Sequence, residues 1–359
     1  RSLKRSRQLE DNTNIAESLR KQGALLRRQR QYEDALIKFD EALSIFKVMN
    51  DKSSMAKAMN SIAILYYKTQ RLDEALEYWL QAFSIAKEFD DKLKISKYVN
   101  NIGIWYWKDF DYSKAIDYYE QSLAIKEELG DTRNYGKTLN NLGEVYYDMG
   151  DFTSAIDHFN QSIAIKDTLG DQLGLNSTLF NLGEAQIYKS NYDDALPNFR
   201  RALSIANTLE DKHQISERNK GIGIVHYNLA AYDSASHYLS KSDSIYIYLG
   251  IPINRLTTLS WLAITAMKAG SKSQAQNYFQ SFNELIDQHD PNSKDIISIN
   301  WNMYQAHVLA GDKKFAKEYL ENSYLELKTR SKKIKNKSDR KKYLSVQLHQ
   351  NIATAWDNL

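Results

Sequence analysis

Residues 139–146 read Leu139-Asn140-Asn141-Leu142-Gly143-Glu144-Val145-Tyr146. Leu139, Leu142, Gly143 and Tyr146 fall at i, i+3, i+4 and i+7, on one face of a helix. Gly150-Asp151 breaks that helix. Phe152, Ala155, Ile156, Phe159 and Ile163 then form a second amphipathic face. Gly170-Asp171 closes the second helix: glycine suits the left-handed position past a helix end, and aspartate caps the helix that follows. Gly130-Asp131 does the same one unit earlier.

The helical pair repeats along the chain. Small residues recur at Gly23, Ala63, Gly103, Gly143, Gly183, Gly223 and Ala263, in steps of 40. A second series is Ala35, Ala75, Ala115, Ala155, Ala195, Ala235 and Ala275. Four residues after each comes Phe39, Trp79, Tyr119, Phe159, Phe199, Leu239 and Phe279. An eighth copy follows with a one-residue slip, at Tyr304, Gly311, Ala316 and Leu320. A small residue lets the paired helices approach, and the large side chain four residues beyond the second small one fills the neighbouring gap. One such pair cannot bury its apolar face alone, whereas a stack of them can, giving a curved solenoid with an extended concave wall.

The pattern Leu-x2-Leu-Gly-x2-Tyr followed by Ala-x3-Phe resembles the tetratricopeptide repeat. It covers roughly residues 16–330. Two features depart from the common form: the step is 40 rather than about 34, and the usual proline near the end of the second helix is missing. Longer repeats of this kind are similar to those of kinesin light chains, spindle-orientation adaptors and bacterial peptide-sensing regulators. The expected fold is all-α: a right-handed α-solenoid of about eight helix-turn-helix repeats plus a C-terminal capping helix. Repeats are expected near 16–55, 56–95, 96–135, 136–175, 176–215, 216–255, 256–296 and 297–330, flanked by segments 1–15 and 331–359.

The resemblance implies that the first helix of each repeat lines the concave side. With the recurring Gly/Ala as position 8, position 6 reads Ser61, Asn101, Asn141, Asn181 and Gly221, and position 2 reads Lys57, Lys97, Lys137, Ser177 and Glu217. These positions lie one turn apart on one face. An asparagine carboxamide can pair with the backbone of an extended peptide, and lysine attracts carboxylates. The same residue types resemble part of the carboxylate clamp of chaperone-binding family members. Glu144, Asp148 and Glu184 would add an acidic stripe, and Trp107 with Lys108 an aromatic-basic edge. A second reading has the asparagines stitching repeats together and the lysines as a solvated face; Trp107 and the tyrosines then pack between helices.

Composition excludes several classes. Forty-eight basic against 45 acidic residues leave a net charge of +3, too balanced to argue for nucleic acid. There is no cysteine, so no disulfide, thiolate metal site or cysteine nucleophile. None of the seven histidines (His158, His213, His226, His237, His289, His307, His349) has metal-ligand spacing, and no P-loop or nucleophile elbow occurs. No catalytic residue, metal or cofactor is expected. His226 and His307 replace the repeat tyrosine and read as packing residues. Gly221-Ile222-Gly223 lacks the strand and third glycine of a phosphate loop and reads as close packing or a bend. Of three prolines, Pro197, Pro252 and Pro291, none marks a linker, and Pro197 is a candidate helix kink.

No apolar run is long enough to span a membrane. The N-terminal segment Arg1–Thr13 is basic and reads as partial helix or disorder. A basic run over residues 328–342 precedes an apolar stripe of Leu344, Leu348, Ile352, Ala355 and Leu359, which suits a capping helix or the start of a coiled coil. The expectation is a peptide- or protein-binding sensor or adaptor within a longer, bacterial signalling protein, with a cytoplasmic or periplasmic address. The alternative is an assembly scaffold, including a homodimer through the C-terminal helix.

Overall fold

The structure, a computed structural model, describes residues 2–286 and 295–359, with side chains from Asp11 onward except that of Ile253. Pro291 and His289 lie outside the described residues. Eighteen helices and no strand are found among the described residues. They are α1 (Ser2–Arg28), α2 (Tyr32–Val48), α3 (Lys52–Lys68), α4 (Leu72–Glu88), α5 (Lys92–Lys108), α6 (Tyr112–Glu128), α7 (Thr132–Met149), α8 (Phe152–Thr168) and α9 (Gln172–Tyr188). There follow α10 (Tyr192–Thr208), α11 (Lys212–Asn228), α12 (Tyr232–Leu249), α13 (Pro252–Lys268), α14 (Lys272–Asn283), α15 (Ile296–Ala310), α16 (Lys313–Lys333), α17 (Lys337–Leu344) and α18 (Gln347–Asp357). The N-terminal segment is thus the start of α1, and Pro197 sits inside α10. The chain divides into two compact units, residues 1–138 and 139–359, with the division inside α7.

Helix ends follow a shared rule. The backbone takes a positive φ every 20 residues, at Arg30, Asn50, Gln70, Asp90, Phe110, Gly130, Gly150, Gly170, Ser190, Glu210, Ala230, Gly250 and Gly270. Often the next residue is an aspartate that caps the following helix: Asp51 accepts from Ser54 N at 3.0 Å, Asp91 from Lys94 N at 3.0 Å and Asp211 from Gln214 N at 3.0 Å. Each cap satisfies a backbone N–H that the helix leaves unpaired.

The small residues do what the repeat requires. A Cβ on Gly143 would lie 2.6 Å from the Phe159 ring, one on Gly183 2.7 Å from Phe199, and one on Gly23 2.8 Å from Phe39. The extra glycine of repeat six has the same cause: a Cβ on Gly221 would meet Phe199 at 2.6 Å. His307 is buried and stacks on Phe279 with centroids 4.1 Å apart, and His226 stacks on Tyr238.

Between successive repeats, buried residues twelve positions apart are matched in size. Within residues 1–138 the pairs are Phe46 with Ala58, Ala86 with Tyr98 and Lys126 with Thr138. Within residues 139–359 they are Lys166 with Thr178, Ala206 with Arg218 and Tyr246 with Thr258. Each pair joins one large and one small side chain, as close packing demands.

The C-terminal end differs from the expected single helix. The basic run begins inside α16, whose last turn carries Arg330, Lys332 and Lys333, where cations favour the helix dipole. Two short helices follow. Their buried side is Tyr343, Val346, His349 and Ile352, while Leu344 and Leu359 are exposed, because the break at Ser345 rotates the second helix off the predicted stripe. α18 packs on α16, with Trp356 stacked on Tyr324 at 4.8 Å.

Candidate functional site

In the unit of residues 1–138 the first helices α1, α3, α5 and the start of α7 present a row of cations. Lys57, Lys97 and Lys137 are all accessible to water at equivalent positions. Protein atoms nevertheless crowd Lys97: burial, together with the like charges of Arg20 and Arg27, holds its ammonium below the ordinary lysine range. Arg20 pairs with Glu17 at 2.8 Å, whereas the buried Nε of Arg27 has no hydrogen-bond partner. Asn101 donates to Asn60 Oδ1 of the preceding first helix at 2.9 Å. Lys108 lies 4.1 Å above the half-buried Trp107 ring, a cation-π contact at the helix end.

In the unit of residues 139–359 the asparagines form a bonded network of their own. Asn140 Nδ2 donates to Glu144 at 2.7 Å. Asn181 Nδ2 donates to Glu144 at 3.0 Å and to Asn140 Oδ1 at 3.4 Å. Asn141 and Glu184 are half-buried on the same face. Glu217, at the register position of the lysines, forms a largely buried ion pair with Lys220 at 2.8 Å. Burial opposes both charges, but their mutual attraction keeps the carboxyl below and the ammonium above its usual value. Among the described residues no group of three or more histidines and carboxylates is arranged to hold a metal. No helix among them is long and apolar enough to cross a membrane.

Family models described as tetratricopeptide repeat match residues 54–128, 137–172 and 178–212. Those stretches are tetratricopeptide repeats. Among solved structures, the apo form of RapI is similar with a TM-score of 0.62 and 17% identity, over 76% of this chain and 98% of that one. A Rap protein complexed with Competence and Sporulation Factor is similar over 96% of this chain and 99% of that one, with a TM-score of 0.61 and 14% identity. A signal transduction ATPase with a tetratricopeptide repeat sensor, from Pyrococcus horikoshii, gives a TM-score of 0.62 at 15% identity, over 87% of this chain and 47% of that one. These identities establish likeness of fold alone. No curated protein matches the chain in sequence.

The tetratricopeptide repeats contain polar residues that the positional reading missed. One register position before the expected asparagines stand Asn60 and Asn100 in the first unit and Asn140 in the second. Buried Lys126 donates to Thr138, which donates to Asn100 at 2.9 Å. Buried Lys166 donates to Thr178, which donates to Asn140 at 2.8 Å. The available signal was a lysine at a register position otherwise filled by Phe46, Ala86, Ala206 and Tyr246. Arg20 and Arg27 were missed because α1 precedes the position at which the lysine row was read.

Proposed function

We propose that the chain is a protein- or peptide-binding module, the sensory or adaptor part of a larger signalling protein, and that its ligand lies extended along the first-helix wall. The observation that carries this reading is the cation row of Lys57, Lys97 and Lys137, reinforced by Arg20 and Arg27. Lys97, its ammonium destabilised by burial and then by Arg20 and Arg27, gains when a carboxylate arrives, and a row of cations favours an acidic segment. Asn101 and Asn181 bond to neighbouring repeats, which supports a part for them in holding the helices at the spacing the ligand meets. The lysines supply attraction and orientation, and Trp107 a rigid apolar edge. The apolar side of α18 is covered by α16, which leaves little support for self-association through that helix.

Random peptides displayed on phage and selected on the full chain supply the probes. The variant Lys57→Glu/Lys97→Glu/Lys137→Glu should bind the selected acidic peptides at least about tenfold more weakly, with unchanged helicity and melting. Equal affinity for wild type and variant across the selected peptides would remove the wall from the reading.

A further inference from the structure

In the unit of residues 139–359 the C-terminal end folds back onto the turn between α7 and α8, 191 residues away in sequence. Lys342 Nζ donates to Asp151 Oδ2 at 2.8 Å. Val346 lies so close to Gly150 that a Cβ there would stand 2.6 Å from Val346 Cγ2 and 3.2 Å from the Lys342 carbonyl oxygen. Gly150 also has a φ of +85°, so both space and backbone call for glycine. Tyr343 is buried, and burial above all raises its phenol beyond the ordinary range, with Arg330, Asp148 and Tyr188 acting on it electrostatically. Asp148 and Tyr188 end the first helices α7 and α9. Beside them, Phe152 stacks on Tyr188 at 4.8 Å and Tyr147 meets Tyr188 edge-on at 5.6 Å. Aromatic rings and a carboxylate thus flank the turn at Gly150-Asp151, and residues 342–346 cover that turn.

Two side chains of this segment, Tyr343 and Val346, are buried, and the rest of the contact lies at the surface. Its ion pair is partly exposed, and Lys337, Lys341, Leu344 and Ser345 around the contact are open to solvent. Contacts of this kind open locally at far lower cost than a packed repeat.

We propose that residues 342–346 are a tethered strap, and that the turn they cover is a docking place for a segment of the same chemistry: a lysine for Asp151, a following aromatic ring buried beside the turn as Tyr343 is, and a small aliphatic side chain for Gly150. The proposal rests on the reading that the first-helix wall receives peptides, but it uses none of the lysines that carry that reading. An incoming basic-aromatic segment competes with the strap, so apparent affinity is set by the fraction of chains in which the strap is open.

The probe is a fluorescein-labelled peptide of residues 339–349, measured by anisotropy against the full chain and against the full-length variant Lys342→Glu/Val346→Asp. The substitutions place repulsion and a buried charge in the contact. The variant should bind the probe at least about tenfold more tightly than wild type, and its 147–152 amides should exchange faster, regaining protection when the probe is added. A scrambled probe should not bind. Opening without probe binding would overturn the docking place. Unchanged exchange, or a fall in melting across the whole unit, would overturn the strap. The Lys57→Glu/Lys97→Glu/Lys137→Glu variant should bind this probe as wild type does, so either proposal can fail alone.

Discussion

At the scale of single residues, two positions carry the most testable chemistry. Gly143 faces Phe159 with no room for a methyl group. Gly143→Ala should therefore lower stability by roughly 1–3 kcal/mol through overpacking, despite a helix-propensity gain of about 1 kcal/mol; urea denaturation reads the difference. Lys126 is the other. Burial first, then the positive charge of Lys137, outweighs the attraction of Asp131 and brings its pKa down to about 8 from 10.5. The folded chain releases this proton near 8, whereas the unfolded chain keeps it to 10.5. Unfolding between those values takes up a proton, so stability rises with pH, by on the order of 3 kcal/mol over the full window. Lys126→Met should lack that rise. Parallel pH profiles of the two proteins in denaturant would expose a wrong sign at once.

At the scale of helices and turns, the 20-residue beat of positive φ is the governing feature, and glycine fills only part of it. Gln70 and Ala230 hold φ of 62° and 57° at exposed turns. A left-handed conformation costs an L-residue about 1–2 kcal/mol, partly offset by the greater unfolded-chain entropy of glycine. Gln70→Gly and Ala230→Gly should each raise stability by about 0.5–1 kcal/mol, and a lower melting temperature in both would contradict this account of the turns. The same feature shows how far the sequence could be read. Gly130, Gly150 and Gly170 announce their turns by residue type. Arg30, Glu210 and Phe110 do not, because the packed helices on either side force the conformation whatever the side chain. The Gly/Ala and aromatic series were legible for the opposite reason: they depend on volume, which residue type states directly. The wall lysines were legible by register. The bonds of Asn101 and Asn181 to the neighbouring repeat, at 2.9 Å and 3.0 Å, were not, since a carboxamide suits a ligand or a neighbouring repeat equally well. The fold-back of Lys342 onto Asp151 joins residues with no shared period, so no pattern along the chain marks it.

At the scale of the whole molecule, the matched buried pairs decide which rearrangements the chain tolerates. Removing residues 132–171 joins Asp131 to Gln172 and brings Lys126 opposite Thr178, a pairing of the kind already present. Asn100 then faces Thr178 as it now faces Thr138. Removing residues 92–131 instead sets Ala86 opposite Thr138 and leaves a hole where Tyr98 or Lys126 belongs. The first deletion should melt cooperatively near the full chain. The second should lose a further 2–5 kcal/mol or so, the usual cost of an unfilled core position, and equal melting of the two deletions would refute the matching. The pairs therefore work as a serial code written inside the protein. They specify which module may follow which, so a genetic duplication or loss that respects the code is silent in the fold, and one that ignores it is marked by a gap or a clash at a single seam.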